Sequence, residues 1–267
     1  MVFYSAIEPI YFILPFTGFV IGLFGSILGG GGGFFFLPIL TLLVGVPAQT
    51  AVITSLVATL PVCAVGATGH YRKGNIDLNK GTVFIITGIA GAFAGTLITN
   101  VISTEQLKTG FGLYSVVIAF NMALSTWRKK RAESTKTAAL VTQRTAILHK
   151  SKGPFYGFLA GTITGTFGTS GTAPVLAGLF SMNVPIKLVI GTSLMVVLAN
   201  TFFAVGAHFL VGRIDLTLVF FLTSGSVIGA LIGPGIMTKA KTEHSENNIR
   251  YIYALVMMTI GGLMIIA

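Results

Sequence analysis

Charge is what this chain has least of. Only 9% of its 267 residues are Asp, Glu, Lys or Arg, against roughly a quarter in soluble domains, so a water-facing globular fold is excluded for most of it. A single cysteine, Cys63, leaves neither a disulfide framework nor a cysteine metal site within one chain. The four histidines are scattered and form no H-E-x-x-H pattern, and no Lys follows a glycine run in a P-loop frame. Lys and Arg are absent before Arg72, and Glu8-Pro9 precedes the first apolar run. The first thirty residues therefore lack the basic start of a cleaved signal and read as part of the membrane domain. The apolar stretches contain no Asp or Glu, the groups that often relay protons or sodium ions through transporters. No constellation of acid, base or metal ligands is found, so the chain is read as non-enzymatic, with no cofactor.

What is present is apolar sequence, 53% by composition, in stretches long enough to cross a bilayer, which takes about 20 residues. Five apolar elements cover residues 10–28, 34–46, 48–69, 81–102 and 107–127. A basic, less hydrophobic connector follows at 128–153, and five more elements cover 154–167, 173–184, 186–211, 216–237 and 249–267. The net charge of +10 lies in short runs between these elements, which is how loop charges orient spans, not how a nucleic-acid surface is built.

The two halves repeat each other. Val46-Pro47, Thr54-Ser55-Leu56, His70, Gly74, Ile76-Asp77-Leu78, Gly91-Ala92 and Gly95 recur 138 residues later. Their counterparts are Val184-Pro185, Thr192-Ser193-Leu194, His208, Gly212, Ile214-Asp215-Leu216, Gly229-Ala230 and Gly233. Gly18-Phe19 and Gly22 recur at an offset of 139, and Pro38 at 136. Such self-similarity is an internal duplication. It divides the chain into a first membrane repeat (1–127), the connector (128–153) and a second repeat (154–267). With an odd number of crossings per half, or three plus a hairpin, fifteen basic residues fall on the connector's side and only Lys108 and Arg213 on the other. Four crossings per half would split them 12 to 5. The positive-inside rule selects the first arrangement. The expected fold is thus an all-α polytopic membrane protein with two inverted repeats and eight to ten transmembrane segments. It would sit in the inner cell membrane, with the connector in the cytoplasm.

The glycine run Gly29-Gly30-Gly31-Gly32-Gly33, followed by Phe34-Phe35-Phe36-Leu37-Pro38, interrupts the first half. Glycine admits backbone angles that other residues avoid, and proline lacks a donor, so a helix is not expected to run through. At membrane depth, broken backbone is tolerated where protein or a cavity covers it. The short elements 34–46 and 173–184 fit re-entrant or half-length helices whose breaks meet near the midplane.

These residues resemble the sulfite exporter TauE/SafE family. The resemblance rests on Gly29 to Gly33 with Pro38, Thr54-Ser55-Leu56 after Val46-Pro47, Gly74-Asn75-Ile76-Asp77, Gly91-Ala92-Phe93-Ala94-Gly95 and the second copies. It spans nearly the whole chain. It implies a polytopic transporter that exports sulfite, sulfoacetate or another organosulfonate. The second copy departs from the glycine-rich pattern, reading Gly168-Thr169-Ser170-Gly171-Thr172, and Ile53 stands opposite Gly191.

No Lys or Arg lies within a span beyond its second residue, so an anion would have to be held by backbone N–H groups at helix starts and by hydroxyls. The candidate substrate-binding residues are Gly31, Gly32, Gly33 and Phe34 from the first half, and Thr169, Ser170 and Thr172 from the second. Thr54, Ser55, Thr192 and Ser193 join them as walls, their ordinary role being bonds to helix carbonyls. His70 and His208 are read as interfacial anchors at span ends, and Asp77 and Asp215 as helix caps. Asn121 and Asn200 are read as interhelical glue, and the Gly91/Gly95 and Gly229/Gly233 pairs as packing faces. The phenylalanines after the glycines face lipid or neighbouring helices, or else gate the cavity. Expected partners are a small anion and the lipid bilayer, with a homodimer left open and no nucleic acid. The competing readings are a carrier for another small solute, and a non-catalytic subunit of a membrane complex that docks through the connector.

Overall fold

The computed structural model describes residues 2–134, 152–182, 184–209, 214–239 and 243–266. Among these residues ten α-helices follow in order. They are α1 (Leu14–Leu28), α2 (Gly33–Pro38, continued by a π turn, Ile39–Leu43), α3 (Ala48–Arg72), α4 (Leu78–Val101) and α5 (Thr104–Ser134), then α6 (Lys152–Phe167), α7 (Thr172–Ser181), α8 (Ile186–Phe209), α9 (Leu216–Lys239) and α10 (Glu243–Ile266). Among the described residues, six helices are long and apolar enough to cross a membrane: those over Pro9–Ile27, Ala48–Arg72, Leu78–Val101, Thr104–Trp127, Ile186–Phe209 and Leu216–Gly233. The protein is an all-α, multi-pass membrane protein. Of the expected connector, 128–134 and 152–153 extend α5 and begin α6, while 135–151 lie outside the described residues.

Contacts between equivalent helices fix the relation of the halves. Gly66 of α3 packs against Leu194 of α8, while His70, further along α3, lies against Gly191, earlier on α8. The helices therefore run antiparallel although they are copies of each other, and the repeats are inverted. The halves are also interleaved: α1 packs on α9, and its copy α6 packs on α4. Both crossings are made by glycine. A side chain at Gly18 or Gly22 would strike the α9 backbone at Leu222 or Ser226, and one at Gly161 or Gly165 would strike α4 at Gly88 or Ala92. Gly91, Gly95 and Gly229 make the reciprocal contacts, and Gly233 meets the side chain of Ser26. In lipid, where the hydrophobic effect does not drive helices together, such close approach supplies the packing energy.

Asp77 and Asp215 cap α4 and α9, accepting hydrogen bonds from the amides of Lys80 (3.1 Å) and Thr217 (3.0 Å) respectively. The N-terminal strand β1 (Val2–Phe3) pairs in parallel with β2 (Ile214–Asp215), and the Ser5 amide reaches Asp215 Oδ1 at 3.4 Å. Two sequence expectations are corrected. Neither His70 nor His208 is an interfacial anchor, because each is 1% exposed. The His208 Nε2 lies 2.7 Å from the Gly165 carbonyl of α6, and His70 is enclosed beside α8 because the interleaved helices cover both span ends. Asn121 is exposed and donates to Val117 O in its own helix at 2.9 Å, so it joins nothing across helices. Asn200 is buried against Gly88 of α4, an interhelical position as expected.

Candidate functional site

Both helix interruptions are built by glycines in the left-handed region. In the first, Gly29 ends α1 at φ +79° and Gly32 precedes α2 at φ +81°; in the second, Gly168 and Gly171 hold the equivalent places at φ +64° and +50°. This accounts for the departure in the second copy, which keeps glycine at these two positions and places Thr169 and Ser170 between them. A side chain at either position would carry a conformational cost of roughly 1–2 kcal/mol.

The two breaks meet. A methyl group at Gly33 would lie 3.1 Å from the Ser170 amide nitrogen and 3.5 Å from the Gly168 carbonyl oxygen, and one at Gly30 would lie 3.2 Å from Thr172 Oγ1. Gly31 lies against Cys63 Sγ and Gly33 against Thr59 Oγ1, near the middle of α3. The N-terminal ends of α2 and α7 thus converge inside the bundle. Each brings the positive end of its dipole to the junction. Among the described residues, the amides of Gly32, Gly33, Ser170 and Thr172 donate to no protein acceptor. Thr169 Oγ1, 1% exposed, has no partner either. Thr172 Oγ1 donates to Ser170 Oγ at 2.8 Å, which leaves the Ser170 hydroxyl proton pointing elsewhere. In this conformation the breaks touch, so an occupant requires them to separate.

The four expected wall residues tie the halves together, in two matching sets. Ser55 Oγ donates to the Gly168 carbonyl at 2.9 Å, and its copy Ser193 donates to the Gly29 carbonyl at 3.0 Å. Thr54 Oγ1 accepts from the Asp215 amide at 3.3 Å, and its copy Thr192 accepts from the Asp77 amide at 2.8 Å. Each Thr-Ser pair therefore clasps one break of the opposite half and the capped start of the opposite half's fourth helix. All four side chains are fully buried. They position the breaks, with their hydroxyls directed at backbone. Phe34 is 6% exposed, its ring centroid 5.1 Å from that of Phe111 on α5.

Thr59 and Cys63 were missed by sequence reasoning. With Ser55 they form a polar stripe at i, i+4 and i+8 on α3, a signal legible once the duplicated Thr54-Ser55 is placed on a helix.

The region from residue 14 to residue 264 matches the family described as Sulfite exporter TauE/SafE. The chain belongs to this family. Among the family's curated relatives, the "Probable membrane transporter protein YdhB" of Bacillus subtilis (strain 168) is 30% identical over 221 residues, covering 80% of this chain and 85% of that protein. The "Probable membrane transporter protein YunE" of the same organism is 23% identical over 267 residues, covering 94% and 96%. The "Probable membrane transporter protein MJ0441" of Methanocaldococcus jannaschii is 30% identical over 193 residues, covering 69% and 67%. No solved structure matches. The protein is a membrane transporter of the TauE/SafE family, and its curated relatives are named as probable membrane transporters.

Proposed function

We propose that this TauE/SafE transporter exports small sulfur-containing oxyanions, such as sulfite, sulfoacetate or another organosulfonate, across the cytoplasmic membrane. The observation that carries the reading is the convergence of two helix N-termini, with the unpaired amides of Gly32, Gly33, Ser170 and Thr172, in the middle of an interleaved bundle. Amide donors and helix dipoles favour a compact oxyanion and need no buried Lys or Arg. The Ser170 and Thr169 hydroxyls add donors of the same kind. In this reading the α3–α4 loop, with Arg72, Lys73 and Lys80, and the basic connector face the cytoplasm of the inner membrane.

In this reading the anion itself is the moving charge. Leaving a cell that is negative inside releases about 2.3 kcal/mol per charge per 100 mV, enough to drive export without a coupling ion. The test uses purified protein in liposomes loaded with sulfite, sulfate, thiosulfate or sulfoacetate, under a potassium diffusion potential. Efflux should rise with an inside-negative potential and persist when the proton gradient is collapsed. Efflux that ignores the potential and requires the proton gradient rejects the mechanism. A preference for a non-sulfur solute rejects the substrate and favours a carrier for another small solute, because amides and hydroxyls read oxyanion geometry and not the central atom.

A further inference from the structure

We infer that Phe34, Phe111, Phe167 and Tyr114 form the outer gate of the substrate path, a role that rests on reading the two breaks as the binding site. Phe34 directly follows the first break and Phe167 directly precedes the second. Phe111, fully buried on α5, stands between them, its ring centroid 5.1 Å from Phe34 and 6.0 Å from Phe167. Tyr114, one turn along α5, stacks on Phe167 at 5.8 Å with the planes 16° apart. One face of α5 therefore holds both breaks through a continuous set of rings.

The inverted repeat supplies the argument that these rings are more than filling. Because the halves are inverted, the residues equivalent to Phe34 and Phe167 lie on the opposite side of the breaks. They are Ala173 and Leu28, at the shared offset of 139. The fold thus completes the same junction once with rings and once without them at these positions. Packing of the duplicated scaffold does not require them.

Their depth sets the side. Thr104 Oγ1 donates to Gln49 Oε1 at 2.7 Å, so α3 and α5 begin at the same membrane surface. Phe111 is seven residues into α5, roughly 10 Å below that surface, whereas Thr59, beside Gly33, is eleven residues into α3, roughly 16 Å below it. The rings lie between the breaks and the surface opposite the α3–α4 loop, the outer surface by loop charge. For export, these rings must part before the anion leaves. Their separation sets the size of anion that passes.

Cys63 provides the measurement. It is the chain's only cysteine, fully buried, with Sγ against Gly31. In liposomes of defined orientation, a membrane-impermeant maleimide added on the outer side should modify Cys63 of F111A at least tenfold faster than the wild-type thiol. From the inner side the rate should not change. Phe120→Ala, on the exposed face of α5, should label at the wild-type rate. Equal rates for F111A and F120A, or equal acceleration from both sides, would overturn the gate. Should F111A fail to fold, Phe111→Leu and Phe167→Leu are measured instead, with at least threefold acceleration expected from the outer side only; wild-type rates in both would equally overturn it. Labelling needs no substrate, so it decides the gate even where no sulfur oxyanion is transported. Where sulfite is transported, F111A should raise sulfoacetate flux relative to sulfite at least fivefold, and unchanged selectivity counts against the gate.

Discussion

Replacing Gly33 with alanine separates contact from conformation. Gly33 is the first residue of α2 and is absent from the glycines at positive φ, so its backbone accepts alanine. Alanine in place of glycine should even favour the helix, by at most about 1 kcal/mol. The added methyl would lie 2.8 Å from Thr59 Oγ1 and 3.1 Å from the Ser170 amide nitrogen. Overpacking of this kind costs about 1–3 kcal/mol, so the net penalty falls near 1–2 kcal/mol and the two breaks are pushed apart. At about 2–4 °C per kcal/mol for chains of roughly this size, the melting temperature in detergent should fall by about 2–8 °C. Adding Thr59→Ala, which removes the nearer obstacle, should restore more than half of the loss. Gly45→Ala is the control. It has φ +76° and nothing within 4 Å of the added methyl, so it should lose stability through backbone strain alone, leave flux intact, and gain nothing from Thr59→Ala. If Gly33→Ala melts higher than wild type and transports normally, the two breaks do not touch, and the convergent site is wrong.

Ser55→Ala and Ser193→Ala each remove one clasp, at 2.9 and 3.0 Å, and should destabilise by about 0.6–2 kcal/mol. The repeat symmetry predicts losses of similar size, and a double-mutant cycle read by thermal melting tests whether they couple through the joined breaks. Gly161→Leu would collide with the α4 backbone at Gly88 and should abolish folded protein on size-exclusion chromatography. Gly206→Ala faces open space beside an apolar hollow of about 330 Å³ lined by Leu60, Phe93 and Phe202 among others, and should raise stability by about 0.5–1 kcal/mol. Around Asp77, burial opposes the charge, but the Lys80 amide and ammonium outweigh it and hold the carboxyl below its usual range. A depressed acid stabilises the fold above its unfolded value, about 3.9, and that contribution fades as pH falls through the folded value. The melting difference between wild type and Asp77→Asn should therefore be flat at neutral pH and shrink below about pH 4; a constant difference down to pH 2 contradicts the assignment.

The covalent sequence determined the membrane class, the duplication and the two chain breaks. Low charge cannot cover a water-facing surface, and a common offset survives whatever the fold does. Glycine was needed at the paired positions Gly29/Gly168 and Gly32/Gly171 because their φ is positive, a local demand that one residue type meets. Basic residues in the loops indicated the inversion, which the antiparallel packing of α3 on α8 then displayed. What joins the breaks was decided only by the tertiary structure. Ser55 meets Gly168 across 113 residues and Ser193 meets Gly29 across 164, distances over which no sequence spacing operates. Interleaving of the halves also buries His70 and His208, which stand at span ends in the sequence, and brings Thr59, Cys63 and Phe111 to the breaks. A helix carries its side chains all round, and only its packed neighbours determine which of them face the site.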